Sequence, residues 1–430
     1  MNAMLIVCFI ALILAVVISM KFDVNVGFVT YALAFLVGGW GLGLSASTII
    51  GYFPVSLFFQ LMVITLFYGF AISNGTMQKI ADYSIYLCRN HTALIPWVIF
   101  VLGFVLCAIG CPPPGLGAIL VALSVSIQKR TNTNHVMMIM FPSFGAMAGG
   151  FMPYGLFSTI VKGLLVSVGG LDSDAAAEMM TGITIIMIIF ELLSAIAVYI
   201  FYKGYKNSTI DFEKPEPFTG KQKATLGIIL GVVILLVVPG LLKNFIPFFS
   251  TFTSYITIVS LSCIGAALCS IFKLADERDV IKNRIPWSLM IMVAGAVSLI
   301  TVMTEAGLTD WLASLFTDNM TGIIAALMFC LLAGFMSFFV DSTGVVLPLF
   351  IPIALTISNG SGIAVLYIAA LCVGSYAAGN CPISTGGAVS MSQTPEESRQ
   401  KTFYQVWIWS FVTLAIALIV TLVAGLFPWN

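Results

Sequence analysis

Charge is what this sequence has least of: Asp, Glu, Lys and Arg make up 8% of its 430 residues, and 18 basic side chains balance 18 acidic ones. With no basic block and no acidic tail, neither nucleic-acid binding nor a membrane-surface role is suggested. Histidine is scarcer still. The two present, His91 and His135, fall near the ends of predicted spans, where surface or packing roles are the default. The nine cysteines stand singly, mostly inside apolar runs, without a C-x-x-C or a Cys/His cluster at metal spacing. That speaks against a disulfide framework or a zinc site, and they read as small packing residues. HExxH, a paired aspartate motif inside a span and a convincing Ser/His pair are all missing, so intramembrane catalysis lacks its constellation.

What fills the chain is apolar sequence, 60% of it, in runs of roughly twenty residues that match the thickness of a bilayer. Full spans are predicted near 3–20, 27–45, 54–73, 136–161 and 179–202, and again near 225–242, 252–272, 286–304, 363–394 and 403–427. Two shorter pairs, 94–110 with 115–128 and 322–340 with 344–357, are each split by small, proline or hydroxyl residues and read as re-entrant hairpins. The run Ala3 to Met20 lacks a preceding basic region and is expected to be a retained span rather than a signal peptide. The polar stretch Lys203 to Lys223 divides the chain, and no soluble domain is visible.

Orientation follows from the basic residues. If both termini lie outside and the hairpins do not cross, every Lys and Arg except Lys162 and Lys243 falls on the inner side. Five crossings per half is odd, so the halves enter the membrane from opposite sides. The expected fold is an all-α integral membrane protein of two inverted repeats of five transmembrane helices, each with a re-entrant hairpin and a Gly/Pro-broken helix. The first repeat is 1–202 (hairpin 94–128, broken helix 136–161), the linker 203–224 is cytoplasmic, and the second repeat is 225–430 (hairpin 322–357, broken helix 363–394). Register supports this. "GAMAGGFMP" from Gly145 and "GSYAAGNCP" from Gly374 share G-x-x-A-x-G-x-x-P, and Gly115 stands the same 229 positions before Gly344. "PVSL" at Pro54 recurs as "PWSL" at Pro286.

Such clusters should unwind a span, because Pro removes a backbone hydrogen bond and Gly lets the chain leave the helix. Freed backbone groups survive in a membrane only when packed by protein or lining a wet cavity. Paired breaks in two inverted halves point to a transporter's binding site. Close helix packing with an incidental kink is the alternative.

The hairpin tips read "AIGCPPPGLGA" from Ala108 and "FVDSTGVVLP" from Phe339. Prolines suit a first helical turn, and Asp341, Ser342 and Thr343 offer N-cap chemistry. Helix N-termini there could hold a carboxylate or other oxyanion. No Lys or Arg lies deep in any span, so hydroxyls and amides would share that work. Substrate-binding candidates are Cys111, Pro112, Gly115, Gly150 and Pro153 in the first half, with the hydroxyls of Ser143 and Ser158. In the second they are Ser342, Thr343, Gly344, Asn380, Pro382, Ser384 and Thr385. A Ser or Thr in a span can also simply bond its own backbone. Coupling-ion candidates are Gly150, Asp341, Gly379 and Glu191. Glu191, midway along a span, can carry a proton, pair with a cation or sit as a protonated scaffold residue. Asp341 can ligate a cation, titrate or cap its helix. "GTMQKIADYSIYLCRN" from Gly75 reads as an interfacial amphipathic helix.

In plan, and in "DSTGVVLPLFIPIA" (from Asp341) and "GNCPISTGGAVSMSQTP" (from Gly379), the chain resembles the ion transporter superfamily. Within it the resemblance is to divalent anion/sodium symporters and bacterial malonate and dicarboxylate carriers. The resemblance implies a homodimer with an elevator motion, and no cofactor beyond Na+ as a coupling ion, held by carbonyls near Gly150 and Gly379. In those symporters each tip carries Ser-Asn-Thr. Here Ser342 replaces the Asn, Thr343 matches the Thr, and Pro112-Pro113-Pro114 lack the motif; Pro153 and Pro382 match the broken-span prolines. The expected function is a secondary transporter for a small carboxylate, coupled to Na+ or H+, in a plasma membrane such as a bacterial inner membrane. The alternatives are a permease subunit that depends on a soluble binding protein, or a carrier for another small anion.

Overall fold

The computed structural model describes residues 3–22, 24–87, 91–131, 133–205, 214–242, 246, 248, 255–308, 322–338, 341–358, 361–382 and 384–428, and among them all regular structure is helical. In the first half these are α1 (Ala3–Phe22), α2 (Val26–Phe35), α3 (Ala46–Gly51), α4 (Val55–Ser73), α5 (Thr76–Leu87), α6 (Ile95–Ala108), α7 (Pro113–Thr131), α8 (His135–Gly150), α9 (Leu156–Ser167) and α10 (Ser173–Phe201). The second half has α11 (Gly220–Leu242), α12 (Ile258–Ile271), α13 (Glu277–Asn283), α14 (Trp287–Glu305), α15 (Ile323–Ser337), α16 (Leu347–Ser358), α17 (Ile363–Ala377), α18 (Thr385–Ser392) and α19 (Glu396–Gly425).

Local chemistry sets these boundaries. Asn25, Asn134 and Asp172 cap α2, α8 and α10 through side-chain oxygens that accept backbone N–H bonds. Prolines 112 to 114 have no N–H to leave unpaired, so α7 starts among them. Helix α5 buries Met77, Ala81 and Ile85, four residues apart on one face, as an amphipathic helix should; residues 88–90 lie outside the described set.

Among the described residues, α4, α10, α14 and α19 are long and apolar enough to cross a bilayer as single helices. The expected span 27–45 is helical from Val26 to Gly41. Its helix widens into a π-helical turn over Leu36–Gly41, and Gly43, at φ +69°, turns the chain toward α3. The expected span 252–272 is described from 255 onward and helical from Ile258, with 251–254 outside the described residues.

Element starts recur along the chain. Val26 and Ile258 open α2 and α12, Val55 and Trp287 open α4 and α14, and Leu156 and Thr385 open α9 and α18. Pro54 and Pro286, just before α4 and α14, share one backbone conformation (φ −78°, ψ 70° and φ −80°, ψ 63°). Packing recurs as well: α2 lies on α14 as α12 lies on α4, and α6 lies on α8 as α15 lies on α17. The last two contacts are backbone-close at matching glycines. A Cβ on Gly145 would stand 2.1 Å from the Phe100 carbonyl oxygen, and one on Gly374 would stand 2.2 Å from that of Cys330. A continuous apolar core joins α9, α10, α14, α16, α17 and α19, with Phe151, Phe190, Tyr367 and Ile351 fully buried.

Candidate substrate site at the helix breaks

The first break follows Gly150, the last residue of α8. Phe151 to Gly155 form an irregular turn closed by Met152 N–H to Gly149 O (3.0 Å) and Gly155 N–H to Met152 O (2.7 Å). Gly155 sits over the Gly150 carbonyl, where a Cβ would be 2.2 Å from the oxygen. Pro153 is exposed at the centre of the turn, while Ser158, just beyond it, is buried. Ser143 lies one turn before Met147, its Oγ 3.8 Å from that sulfur. The neighbouring tip joins α6 to α7. Gly110 takes φ +105°, and its Cα faces the Tyr68 ring and the Tyr154 carbonyl of the break. The buried Tyr68 hydroxyl donates to Ile109 O. Cys111 and Pro112 are buried in this tip, and Gly115 lies in the first turn of α7.

The second break follows Ala377. Gly379, the buried Asn380, Cys381 and Pro382 lead to Ser384, which caps α18 by accepting from Gly387 N–H (3.1 Å). Ser384 Oγ also lies 2.8 Å from Gly379 O and 2.7 Å from Cys381 O. Thr385 opens α18, and its side chain is outside the described set. The matching tip is a π-helical turn, Ser342–Val346, running into α16. Asp341 caps it: Oδ1 accepts from Thr343 N–H (2.9 Å) and Gly344 N–H (2.7 Å). Ser342 Oγ donates to Ser375 O at 2.9 Å, and buried Thr343 Oγ1 lies 2.9 Å from Tyr376 Oη. Gly344 abuts Met292 of α14.

The two breaks meet. Tyr376 stands edge-on to Phe151 with ring centres 5.1 Å apart and tilts against Phe157 at 4.8 Å, while Gly379 lies against Met147. Tip, break, break and tip therefore form one contiguous assembly.

One expectation narrows. Helix N-termini hold anions through free amides, but Asp341 already occupies two amides of the second tip and the first tip is proline. What remains for an anion is mostly hydroxyl and side-chain amide: Ser342, Thr343, Ser384 and Asn380. No group of three metal-ligating side chains occurs among the described residues, so a cation here would rely on carbonyls. A carbonyl has two lone pairs, so Gly379 O keeps one beside its contact with Ser384.

Three residues of the assembly escaped sequence reasoning. Thr184 Oγ1 donates to Phe151 O (2.7 Å), and Thr413 Oγ1 lies 2.8 Å from Ala377 O as well as 2.9 Å from Trp409 O and 3.0 Å from Ser410 O, so α10 and α19 each bring a hydroxyl to a carbonyl at one break. These threonines stand 229 positions apart, the offset of the glycine motif, and that signal was there to be read. Tyr376 is the third; nothing in its spacing marked it. Glu191 is 1% exposed on α10, two turns after Thr184 on the same face. Its Oε1 has no hydrogen-bond partner among the described residues.

Among the described residues, all-helical structure with apolar helices of bilayer length is the architecture of a membrane protein in class. Residues 177–430 match the family model described as the sodium:sulfate symporter transmembrane region, and residues 1–150 match that of the dicarboxylate carrier protein MatC N-terminus. The chain belongs to the sodium:sulfate symporter family, a family of carriers and not of enzymes, and the motif resemblance to anion carriers holds. The Escherichia coli (strain K12) inner membrane protein YbhI is 23% identical over 274 residues, 62% of this chain and 53% of the relative. The chain thus spans about half the length of that curated relative. The crystal structure of the Alcanivorax borkumensis YdaH transporter superposes with a TM-score of 0.60 over 88% of this chain and 89% of the other, at 15% identity, which is a likeness of fold alone.

Proposed function

We propose that the chain is a secondary active transporter that moves a small carboxylate anion, a dicarboxylate above all, across the membrane with Na+ or H+, by an elevator motion in a homodimer. The observation that carries this reading is the meeting of two hairpin tips and two helix breaks, lined by hydroxyls and, among the described residues, without a buried cationic side chain. The recurring element starts and the twin Gly145 and Gly374 contacts support two inverted repeats with re-entrant hairpins, divided at residues 203–224. The family's sodium supports Na+ as the coupling ion, with the Gly150 and Gly379 carbonyls as ligands. Asp341 acts as a cap, and Ser342, Thr343, Asn380 and Ser384 hold the substrate. The positive-inside pattern supports termini on the outer face of a bacterial inner membrane.

Uptake of labelled malonate, succinate and sulfate into proteoliposomes, under an inward sodium gradient, an inward proton gradient or neither, tests the proposal. Dicarboxylate accumulation driven by either ion is expected. Sulfate alone would move the assignment to inorganic anions, and no uptake of any would overturn the stand-alone carrier in favour of a missing binding protein.

A further inference from the structure

An open cavity of about 550 Å³, within the size range of small-ligand sites, lies where α11 begins and α12 ends. None of its lining residues belongs to the tips or the breaks. Lys221 lines it from α11, Ser270 from α12, Lys273 and Asp276 from the connection after α12, and Glu277 and Arg278 from α13. The acids among them are engaged elsewhere: Asp276 caps α13, its Oδ1 accepting from Arg278 N–H (3.0 Å), and the Glu277 carboxylate accepts from the Ser270 hydroxyl. Among the described residues none of Lys221, Lys273 and Arg278 is in an ion pair. Three unmatched cations around one opening attract an anion.

The place is also held in shape. Lys273 closes α12 at φ +50°, a position that favours glycine, with its own N–H on Ser270 O (2.9 Å) and Leu274 N–H on Cys269 O (3.0 Å). Gln222, next to Lys221, donates to Asn74 O (3.2 Å), and Asn74 Nδ2 lies 2.7 Å from Thr225 Oγ1 and 3.3 Å from Leu274 O. Asn74 thus ties the backbone beside two of the cations to the turn between α4 and α5. Cations fixed near one another need less ordering when a ligand arrives.

Position says which anion fits. Ile271 and Phe272, directly before Lys273, are 71% and 62% exposed, and α11 exposes Leu230, Ile234 and Leu235 beyond Lys221. In a membrane protein such side chains face hydrocarbon, so the cavity opens where apolar surface gives way to charge, at the level of the lipid headgroups. We propose that it binds the phosphate of an anionic phospholipid headgroup, with Lys221, Lys273 and Arg278 around the phosphate and the acyl chains along the exposed apolar side chains of α11 and α12. A phosphatidylcholine headgroup brings a choline cation beside its phosphate, which the three basic side chains disfavour. Such a site is independent of what the chain carries across the membrane.

The full-length chain, stripped of lipid in an uncharged detergent, is titrated with fluorescent phosphatidylglycerol and with phosphatidylcholine of the same acyl chains. Tighter binding of phosphatidylglycerol is expected, weakening as salt rises. Lys221→Gln, Lys273→Gln and Arg278→Gln should each weaken it about fivefold, while Lys401→Gln, at an exposed residue near the start of α19, should leave it unchanged. Lys273→Gly suits the left-handed backbone and should weaken binding as Lys273→Gln does, which separates the charge from the fold; Lys273→Arg should keep it. Equal binding of the two lipids, or phosphatidylglycerol binding that survives all three Gln substitutions, overturns the proposal. Displacement of the labelled lipid by glycerol phosphate or inorganic phosphate at equal concentration would make the occupant a soluble phosphate anion and overturn the lipid assignment.

Discussion

The two hairpin tips occupy matching places and are built from opposite chemistry. At 229 positions' separation, Pro112, Pro113 and Pro114 of the first correspond to Asp341, Ser342 and Thr343 of the second. The first has three successive residues without an N–H and is pinned from outside by the Tyr68 hydroxyl. The second is polar and is closed on its own broken helix through Ser375 and Tyr376. The difference teaches that segments at one sequence offset can keep the same backbone contacts while differing in side-chain chemistry. Glycine contacts and threonines at the breaks recur in both, whereas the capping Asp341 with its neighbouring hydroxyls and the buried Glu191 each occur in one half.

That comparison makes its strongest claim about the shared backbone. Gly145→Val and Gly374→Val should each cost about 3 kcal/mol or more, because the new side chain meets a backbone carbonyl and not a movable side chain. The yield of monodisperse protein checks this, and tolerance at one site alone would break the equivalence. Next come the tips. Ser342→Ala or Thr343→Ala should lower uptake on the order of tenfold, the scale of a lost hydrogen bond to a charged group, while Pro113→Ala should change it less than about threefold. Equal losses at both tips would erase the proposed difference. A smaller effect is expected of Thr184→Val and Thr413→Val, each about 1 kcal/mol in thermal unfolding and alike in size.

The smallest effect lies outside the membrane, at Asp172. The N–H groups of Ala175 and Asp174 hold its carboxyl below the ordinary 3.8. A depressed folded value means that its contribution is complete above the unfolded value and fades as pH falls through the folded one. Asp172→Asn should leave neutral-pH melting nearly unchanged and remove that part of the acid-side decline; melting curves at neutral and strongly acidic pH check it. A decline on the alkaline side would contradict the sign.

Much of this was legible in the sequence because it was written as backbone. The motif from Gly145 to Pro153 and its partner from Gly374 to Pro382 mark both breaks, since glycine and proline act on the main chain wherever they fall. The tips were legible for the same reason. The span near 27–45 was legible as the helix Val26–Gly41, but its apolar run does not show that the helix widens into a π-helical turn over Leu36–Gly41. Thr184, Thr413 and Tyr376 were harder: their roles depend on which carbonyl or ring a distant helix brings up, and hydropathy carries no such information. That Asp341 caps its own helix, one of the three roles the sequence allowed it, is a matter of side-chain rotamer.

The most direct test of a site held between these tips is substrate protection. Cysteine is placed at Ser342, Asn380 and, as a reference, exposed Trp40, and each variant is labelled with a membrane-impermeant thiol reagent with and without succinate or malonate. Slower labelling at positions 342 and 380, with position 40 unaffected, is the predicted result. Dicarboxylates that bind without changing the labelling of either position would contradict the account.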